Sequence, residues 1–126
     1  MMHILLVEPD SVQAAAIQQT LSRKDGSSRP AHTVAIATSA QTAIAQADQK
    51  RPDAVVLELM LLAHNGIEFL HEFRSYPEWA DVPVVLFTAQ WIADPSSFKK
   101  MGNVTYLYKP TTSLADLKKH LDGVHV

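Results

Sequence analysis

The sequence predicts an α/β fold: a five-stranded parallel sheet, doubly wound, with helices on both faces. Two observations carry that expectation. Short apolar runs alternate with segments of helical periodicity along the whole chain. The runs are nearly continuous in Val, Ile and Leu, as strands buried on both faces are, and capping or turn residues punctuate the junctions. Strands and helices in strict alternation are satisfied by right-handed crossovers.

"HILLVE" (residues 3–8), bounded by Pro9, reads as the first strand. Asp10 then opens a helix with Val12, Ala16, Ile17 and Leu21 on one side, and Asp10 with Gln13 has capping-box spacing. Gly26, within the polar stretch "KDGSSRP", ends that helix in a loop. "HTVAIAT" (32–38) is the second strand; Thr38 with Gln41 predicts the next cap, ahead of Ala40, Ala43, Ile44 and Ala47 at helical spacing. "DAVVLEL" (53–59) is the third strand, and after the turn pair Asn65-Gly66 a helix carries Ile67, Leu70 and Phe73 inward. "VPVVLFT" (82–88) is the fourth strand. Asp94 and Pro95 start a short fourth helix through Phe98 and Met101. "VTYLYK" (104–109) is the fifth strand, Ser113 caps a fifth helix with Leu114, Leu117 and Leu121, and Gly123 stands at its C-terminal cap.

Composition bounds the function. The 126 residues make one domain, 1–126, with no repeat, linker or low-complexity segment. Thirteen acids against eleven bases leave a net charge of −2 with no basic cluster, a poor footprint for nucleic acid or an anionic membrane. The absence of cysteine excludes disulfides, thiolate metal sites and a thiol nucleophile. The N-terminus turns acidic too early for a signal peptide and no apolar stretch reaches membrane length, so a cytoplasmic protein is expected.

Parallel sheets of this kind bind ligands beyond the carboxyl ends of their strands. The first strand delivers Glu8 and then Asp10, the third Glu58, the fourth Thr88, and the fifth Lys109 followed by Pro110. Three acids, a hydroxyl and an ammonium group therefore converge on one rim.

The pieces "ILLVE", "PDAVVLELM" followed by "NGIEFL", "PVVLFTA" and "YLYKP" stand at the right strand ends in the right order. Through them the chain resembles, over essentially its whole length, the receiver domain of two-component response regulators. The resemblance implies a flavodoxin-like strand order 2-1-3-4-5. It also implies an aspartate ending strand three that accepts a phosphoryl group from a histidine kinase, and an acidic pair after strand one that holds Mg²⁺. A Thr or Ser and a Lys contact the phosphoryl oxygens, and an aromatic on strand five moves with activation.

Carried across position by position, Thr88 and Lys109 match the phosphoryl contacts, Tyr106 the switch aromatic and Glu8 the first of the acidic pair. Pro9 stands where the second acid belongs, Glu58 where the phosphoacceptor belongs, Leu62 replaces a usual proline and Asn65 a usual aspartate. The departures are concentrated on the chemistry. Glu58 adds a methylene to a group that must attack in line beside a metal. Pro9 removes one oxygen ligand from an ion that demands near-octahedral oxygen coordination. Lys109 is then the counter-charge, a pair worth roughly 4 kcal/mol at ~4 Å before desolvation is subtracted.

Each residue also has a plainer reading. Asp10 reads as a helix cap before it reads as a metal ligand, and Glu58 as a strand end paired with Lys109. Thr88 suits any strand, and Tyr106 and Tyr108 share a strand face. Trp91 and Ile92 form an apolar pair in a polar loop that serves a partner or folds back on the core. His71 reads as solvated, and none of the six histidines has metal-pair spacing with a second ligand.

The expectation is a pseudo-receiver: a non-enzymatic signalling module of a two-component system or phosphorelay, with Glu58 in the phosphoacceptor position. No cofactor is expected, with Mg²⁺ weak at most and Glu8, Asp10 and Glu58 its only candidate ligands. The partner is a histidine kinase, an effector or another receiver, with a homodimer through the fourth helix, strand five and the fifth helix as one form. The competing expectation is an active switch phosphorylated at another carboxylate such as Asp10, with Mg²⁺. A nucleotide- or flavin-binding enzyme ranks last, because "EPDSV" after strand one lacks the glycines of a phosphate cradle.

Overall fold

A computed structural model describes residues 1–23, 31–62 and 65–124; the expected loop around Gly26 lies outside them. In chain order the elements are β1 (His3–Val7), α1 (Ser11–Ser22), β2 (Thr33–Ala37), α2 (Ala40–Gln49), β3 (Ala54–Leu57) and α3 (Gly66–Ser75). They continue through a 3₁₀ turn (Pro77–Trp79), β4 (Val84–Thr88), a 3₁₀ helix (Pro95–Met101), β5 (Val104–Tyr108), a second 3₁₀ turn (Lys109–Thr111) and α4 (Leu114–Asp122). The strands lie in the order β2-β1-β3-β4-β5, all neighbours parallel. This is the expected doubly wound sheet.

Strand periodicity sorts the core into two layers. Leu5, Val7, Val55, Leu57, Val84 and Leu86 face α2 and α3, where Phe69, Leu70 and Phe73 pack with Trp79 and Phe98. Ile4, Leu6, Val56, Val85 and Phe87 face α1 and α4, meeting Ile17, Leu21, Leu117 and Leu121. Both faces of every central strand are thus buried, which is why the sequence shows runs and not alternation. Among the described residues no helix is long and apolar enough to cross a membrane.

Several details differ from the sequence expectation. Val12 and Ala16 point outward, Val12 at 77 % exposure, and the buried stripe of α1 is Ala14, Ile17 and Leu21. At about 100° per residue Val12 lies on the side opposite Ala14. Helix α2 starts one residue later than expected, so Ser39 and not Thr38 receives the capping N–H, from Thr42 (3.2 Å). Pro95 and Gly102 confine the fourth helix to a seven-residue 3₁₀ segment, with Gly102 leaving it at φ 87°. Gly123 ends α4 in the right-handed region (φ −86°), so its freedom to turn left-handed is not used.

Two devices close the lower and lateral margins of the sheet. The Arg74 guanidinium donates to the carbonyls of Met101 (2.6 Å), Trp79 (2.9 Å) and Asn103 (3.0 Å), tying α3 to the start of β5. On edge strand β2, Gln18 from α1 donates to Val34 O (3.0 Å) and Gln46 from α2 to Ile36 O (2.9 Å). Side-chain amides thereby cover carbonyls that an invading strand would use.

The connection from β3 to α3 must fold tightly, and Gly66 makes it possible. Its N–H donates to Leu59 O (2.8 Å), Asn65 caps α3 through Ile67 N–H (2.8 Å), and Met60 bridges to Asn65. A Cβ at Gly66 would stand 2.7 Å from Leu59 Cα and 2.8 Å from Glu58 O, both backbone atoms. Gly66→Ala should therefore cost about 1–3 kcal/mol, as overpacking does, and displace Glu58. Urea unfolding with amide shifts of Glu58 and Leu59 reads both effects; an unchanged midpoint and unchanged shifts would refute the close packing.

Candidate functional site

The site is assembled at the carboxyl ends of the strands. Glu8 and Glu58 stand one residue past β1 and β3, so the strands are shorter than the runs in the sequence suggested. Their N–H groups still bond across the sheet, Glu8 to Ala37 O and Glu58 to Val7 O (both 3.0 Å). Backbone pairing therefore sets both carboxylates side by side, and both are buried, at 2 % and 5 % exposure.

Lys109 comes from the far end of the sheet. β4 lies between its strand and β3, and adjacent strands are about 4.8 Å apart, so its stem must cross β4. It does so over the Phe87 ring, with Nζ 5.6 Å from the ring centroid. Nζ then donates to Glu8 Oε1 (2.6 Å), Gln13 Oε1 (2.8 Å) and Glu58 Oε1 (2.9 Å). An ammonium group has three N–H donors, and all three are used.

Glu58 receives four donors divided between its oxygens. Oε1 accepts from Lys109 and from Ala89 N–H (3.2 Å); Oε2 accepts from Met60 N–H (3.1 Å) and from the Thr88 hydroxyl. Lys109 and Thr88 thus take different oxygens of the carboxylate. Burial pushes the Glu58 carboxyl up, but the Thr88 hydroxyl, Lys109 and the Met60 and Ala89 N–H groups outweigh it and hold it below the usual glutamate value.

From Thr88 the bonding continues along the loop after β4. The fully buried Thr88 Oγ1 accepts from Gln90 N–H (3.0 Å). The half-buried Tyr106 donates its hydroxyl to Gln90 O (2.9 Å) and accepts from Ile92 N–H (3.1 Å). Trp91 and Ile92 part company: Ile92 packs against the core, while Trp91 is 66 % exposed, edge-on to Tyr108 at 5.2 Å.

Asp10 is held apart from this cluster. Its Oδ1 accepts from Val12 N–H (2.9 Å) and Gln13 N–H (3.0 Å), capping α1, and these bonds, Gln13's first, keep the exposed carboxyl below its ordinary value. The reciprocal half of the expected capping box is absent. Gln13 turns its side chain to Lys109, and Asp10 N–H goes to Glu8 Oε2 (3.2 Å). Gln13 is the site residue the sequence reading missed; its signal was the one-turn spacing from Asp10, which had been assigned to capping. His71 is exposed on α3.

The carboxylates a divalent cation could draw on at this rim are those of Glu8, Asp10 and Glu58. Glu8 and Glu58 instead face Lys109 Nζ from two sides, Asp10 is committed to backbone N–H groups, and Pro9 offers no side-chain oxygen. No group of three or more His, Asp or Glu among the described residues is arranged to hold a metal.

The buried ion triad sets two expectations. Lys109→Met leaves two carboxylates facing each other without compensation and should cost about 3–5 kcal/mol in chemical denaturation; an unchanged midpoint would mean the groups are separately solvated. Because Glu58's folded-state pKa is depressed, its contribution is complete above the ordinary glutamate range and is lost as pH falls through the lower folded value. Glu58→Gln should flatten the stability–pH curve in that acid window, and an undiminished slope would assign the acid sensitivity elsewhere.

The response regulator receiver domain profile matches residues 4–122. The chain is 33% identical over 108 residues to the probable transcriptional regulatory protein TcrX of Mycobacterium tuberculosis, covering 85% of this chain and 43% of TcrX. It spans about half the length of the curated relatives it matches. Among solved structures it is similar to the Mn²⁺-bound form of response regulator Rcp1, with 29% identity, a TM-score of 0.74, and coverage of 98% of this chain and 91% of that one. It shares the fold of chemotaxis protein CheY4 of Vibrio cholerae, with a TM-score of 0.84, 22% identity and 99% coverage of both. With its sheet order, its strand-end residues and a profile match over nearly its full length, the chain belongs to the response regulator receiver domain family.

Proposed function

We propose that this receiver domain signals through a permanent carboxylate in place of a phosphoryl group. The observation that carries the reading is the continuous bonding from Glu58 through Thr88 to the 89–92 loop and Tyr106. In the family a phosphoryl group on strand three draws in the strand-four hydroxyl and the strand-five aromatic follows. Here the Glu58 carboxylate takes the Thr88 hydroxyl, and Tyr106 is anchored on the same loop without any modification. One negative charge replaces the larger charge of a phosphoryl group. A state populated almost fully over its alternative needs several kcal/mol of preference, and four donors converging on one buried carboxylate are a source of that size.

The same arrangement argues against phosphoryl transfer. Attack requires a metal beside the nucleophile, whereas the cation beside Glu58 is Lys109. Mn²⁺ is bound in Rcp1; in this chain we expect Mg²⁺ weakly at most, and no cofactor. Phosphorylation at Asp10 ranks behind, because the carboxylate is engaged by the Val12 and Gln13 N–H groups as the N-cap of α1. The module is taken to be non-enzymatic. Its work is then recognition of a protein partner, a histidine kinase, an effector or another receiver, through the surface of the Pro95–Met101 helix, β5 and α4. A transcriptional output is proposed by analogy with TcrX, of which this chain spans 43%.

Incubation with a small phosphodonor and Mg²⁺ should leave the intact mass unchanged, and a stoichiometric phosphoryl adduct would overturn the reading. Thr88→Val should release the Gln90 and Ile92 amides and the Tyr106 ring, seen as shifts at all three positions. If those resonances stay in place, Glu58 is not coupled to the switch.

A further inference from the structure

A cleft opens beside the site, between α1 and the turn that leads from β5 into α4. Its volume is about 220 Å³, more than the roughly 150 Å³ of an apolar cavity that holds benzene. Buried Ile17 and Phe87 line it together with exposed Ala16 and half-buried Leu114. The polar part of the lining is Gln13, Lys109 and Thr112, and among the described residues no acid lines it. Gln13 is engaged by Lys109 and Asp10, whereas among the described residues nothing bonds the Thr112 hydroxyl.

We propose that this cleft binds a small neutral molecule with an apolar body and one hydroxyl or carbonyl group, and that its occupancy acts on Glu58 through Gln13 and Lys109. Charge selects the neutral class. A cation set against Ile17, Phe87 and Leu114 gives up its water with no carboxylate in the lining to replace it. An anion finds all three N–H donors of Lys109 already used, two of them by Glu8 and Glu58. Asp10 at the N-cap of α1 and Asp116 in the first turn of α4 add negative charge at the start of both bordering helices. A hydroxyl or carbonyl is served by the Thr112 hydroxyl, which both donates and accepts.

Gln13 and Lys109 belong to the cleft and to the buried ion triad at once. Gln13 Oε1 holds one ammonium N–H at 2.8 Å, and Glu58 Oε1 holds another at 2.9 Å. An occupant resting on the Lys109 stem and the Gln13 amide shifts the balance as far as it prefers one arrangement of that pair over another. The change passes from Glu58 to the Ala89 N–H and the Thr88 hydroxyl, and so to the 89–92 loop. A carboxylate that cannot be hydrolysed away needs an input of this kind if its signal is to vary. The coupling rests on the reading of Glu58 as the permanent signal; the binding rests on the cleft alone.

Benzyl alcohol, benzoate and benzylammonium share a ring and differ in charge, so they test the site and its class together. Titrated into the whole chain at neutral pH, benzyl alcohol should give saturable NMR shifts at the Ile17 and Leu114 methyls and the Phe87 ring. The two ions should bind at least about tenfold more weakly. The Ala89, Gln90 and Ile92 amides should shift along the benzyl alcohol isotherm. Ala16→Phe, at an exposed position, should fill the cleft and abolish binding while the urea midpoint stays near that of the parent chain. Thr112→Val keeps the shape of the cleft, and should weaken benzyl alcohol about two- to tenfold while leaving toluene unaffected. No saturable shift, equal affinity for the three probes, or binding that survives Ala16→Phe overturns the site. Loop amides that stay in place as the cleft fills overturn its link to Glu58. A phosphoryl adduct in the phosphodonor experiment would instead retire the reading of Glu58 and leave the binding result standing.

Discussion

The Lys109 ammonium between Glu8 and Glu58 is the contact on which the rest of the site depends. Two buried carboxylates on neighbouring strand ends repel each other and pay desolvation. A cation must sit between them, and Lys109 reaches that place by laying its stem over Phe87. Gln13 takes the remaining N–H, so the lysine is saturated and its position set by three oxygens from three parts of the chain. With Oε1 of Glu58 turned to Lys109, Oε2 is left for Thr88. The division of oxygens, and with it the link to the 89–92 loop, follows from where the ammonium sits.

That geometry also accounts for the tolerance of Pro9. A proline after β1 contributes no ligand, and its rigid ring delivers Asp10 to the N-cap of α1, where the carboxylate is used by backbone N–H groups. The N-cap in turn sets α1 so that Gln13 meets Lys109. A residue that is a loss for metal chemistry is thus consistent with a site neutralised from within. Gly66 acts from the other side, letting α3 begin against the Glu58 carbonyl so that the Met60 N–H can turn back to Oε2.

The margins of the sheet show the same economy of polar groups. Arg74 satisfies three carbonyls where the Pro95–Met101 segment returns to β5, a junction that a seven-residue 3₁₀ helix leaves thinly covered. β2 has the carbonyls of Val34 and Ile36 capped by two glutamines, whereas among the described residues the outward backbone groups of Val104 and Tyr106 on β5 have no such cover. Tyr106 therefore lies on that edge strand with its hydroxyl bonded to the 89–92 loop.

Composition and periodicity alone determined the alternation of elements, the two buried faces of the sheet and the convergence of Glu8, Glu58, Thr88 and Lys109 on one rim. Those follow from local chemistry: a strand buried on both faces must be a continuous apolar run, and the residue that ends it must lie at the sheet margin. Helix phase was less legible. The stripe of α1 was misread at Val12 and Ala16 because several short apolar residues fit more than one face, and only packing against β1 and β2 chooses among them. The cap of α2 shifted by one residue because Thr38 and Ser39 are both competent caps. Gln13 belonged to the site and was read as part of a capping box, since spacing along the chain shows its turn in the helix but not the lysine ninety-six residues away. Which oxygen of Glu58 serves which donor was decided only by the tertiary structure. It depends on Lys109 crossing β4, a distance and direction that exist only once the sheet is formed.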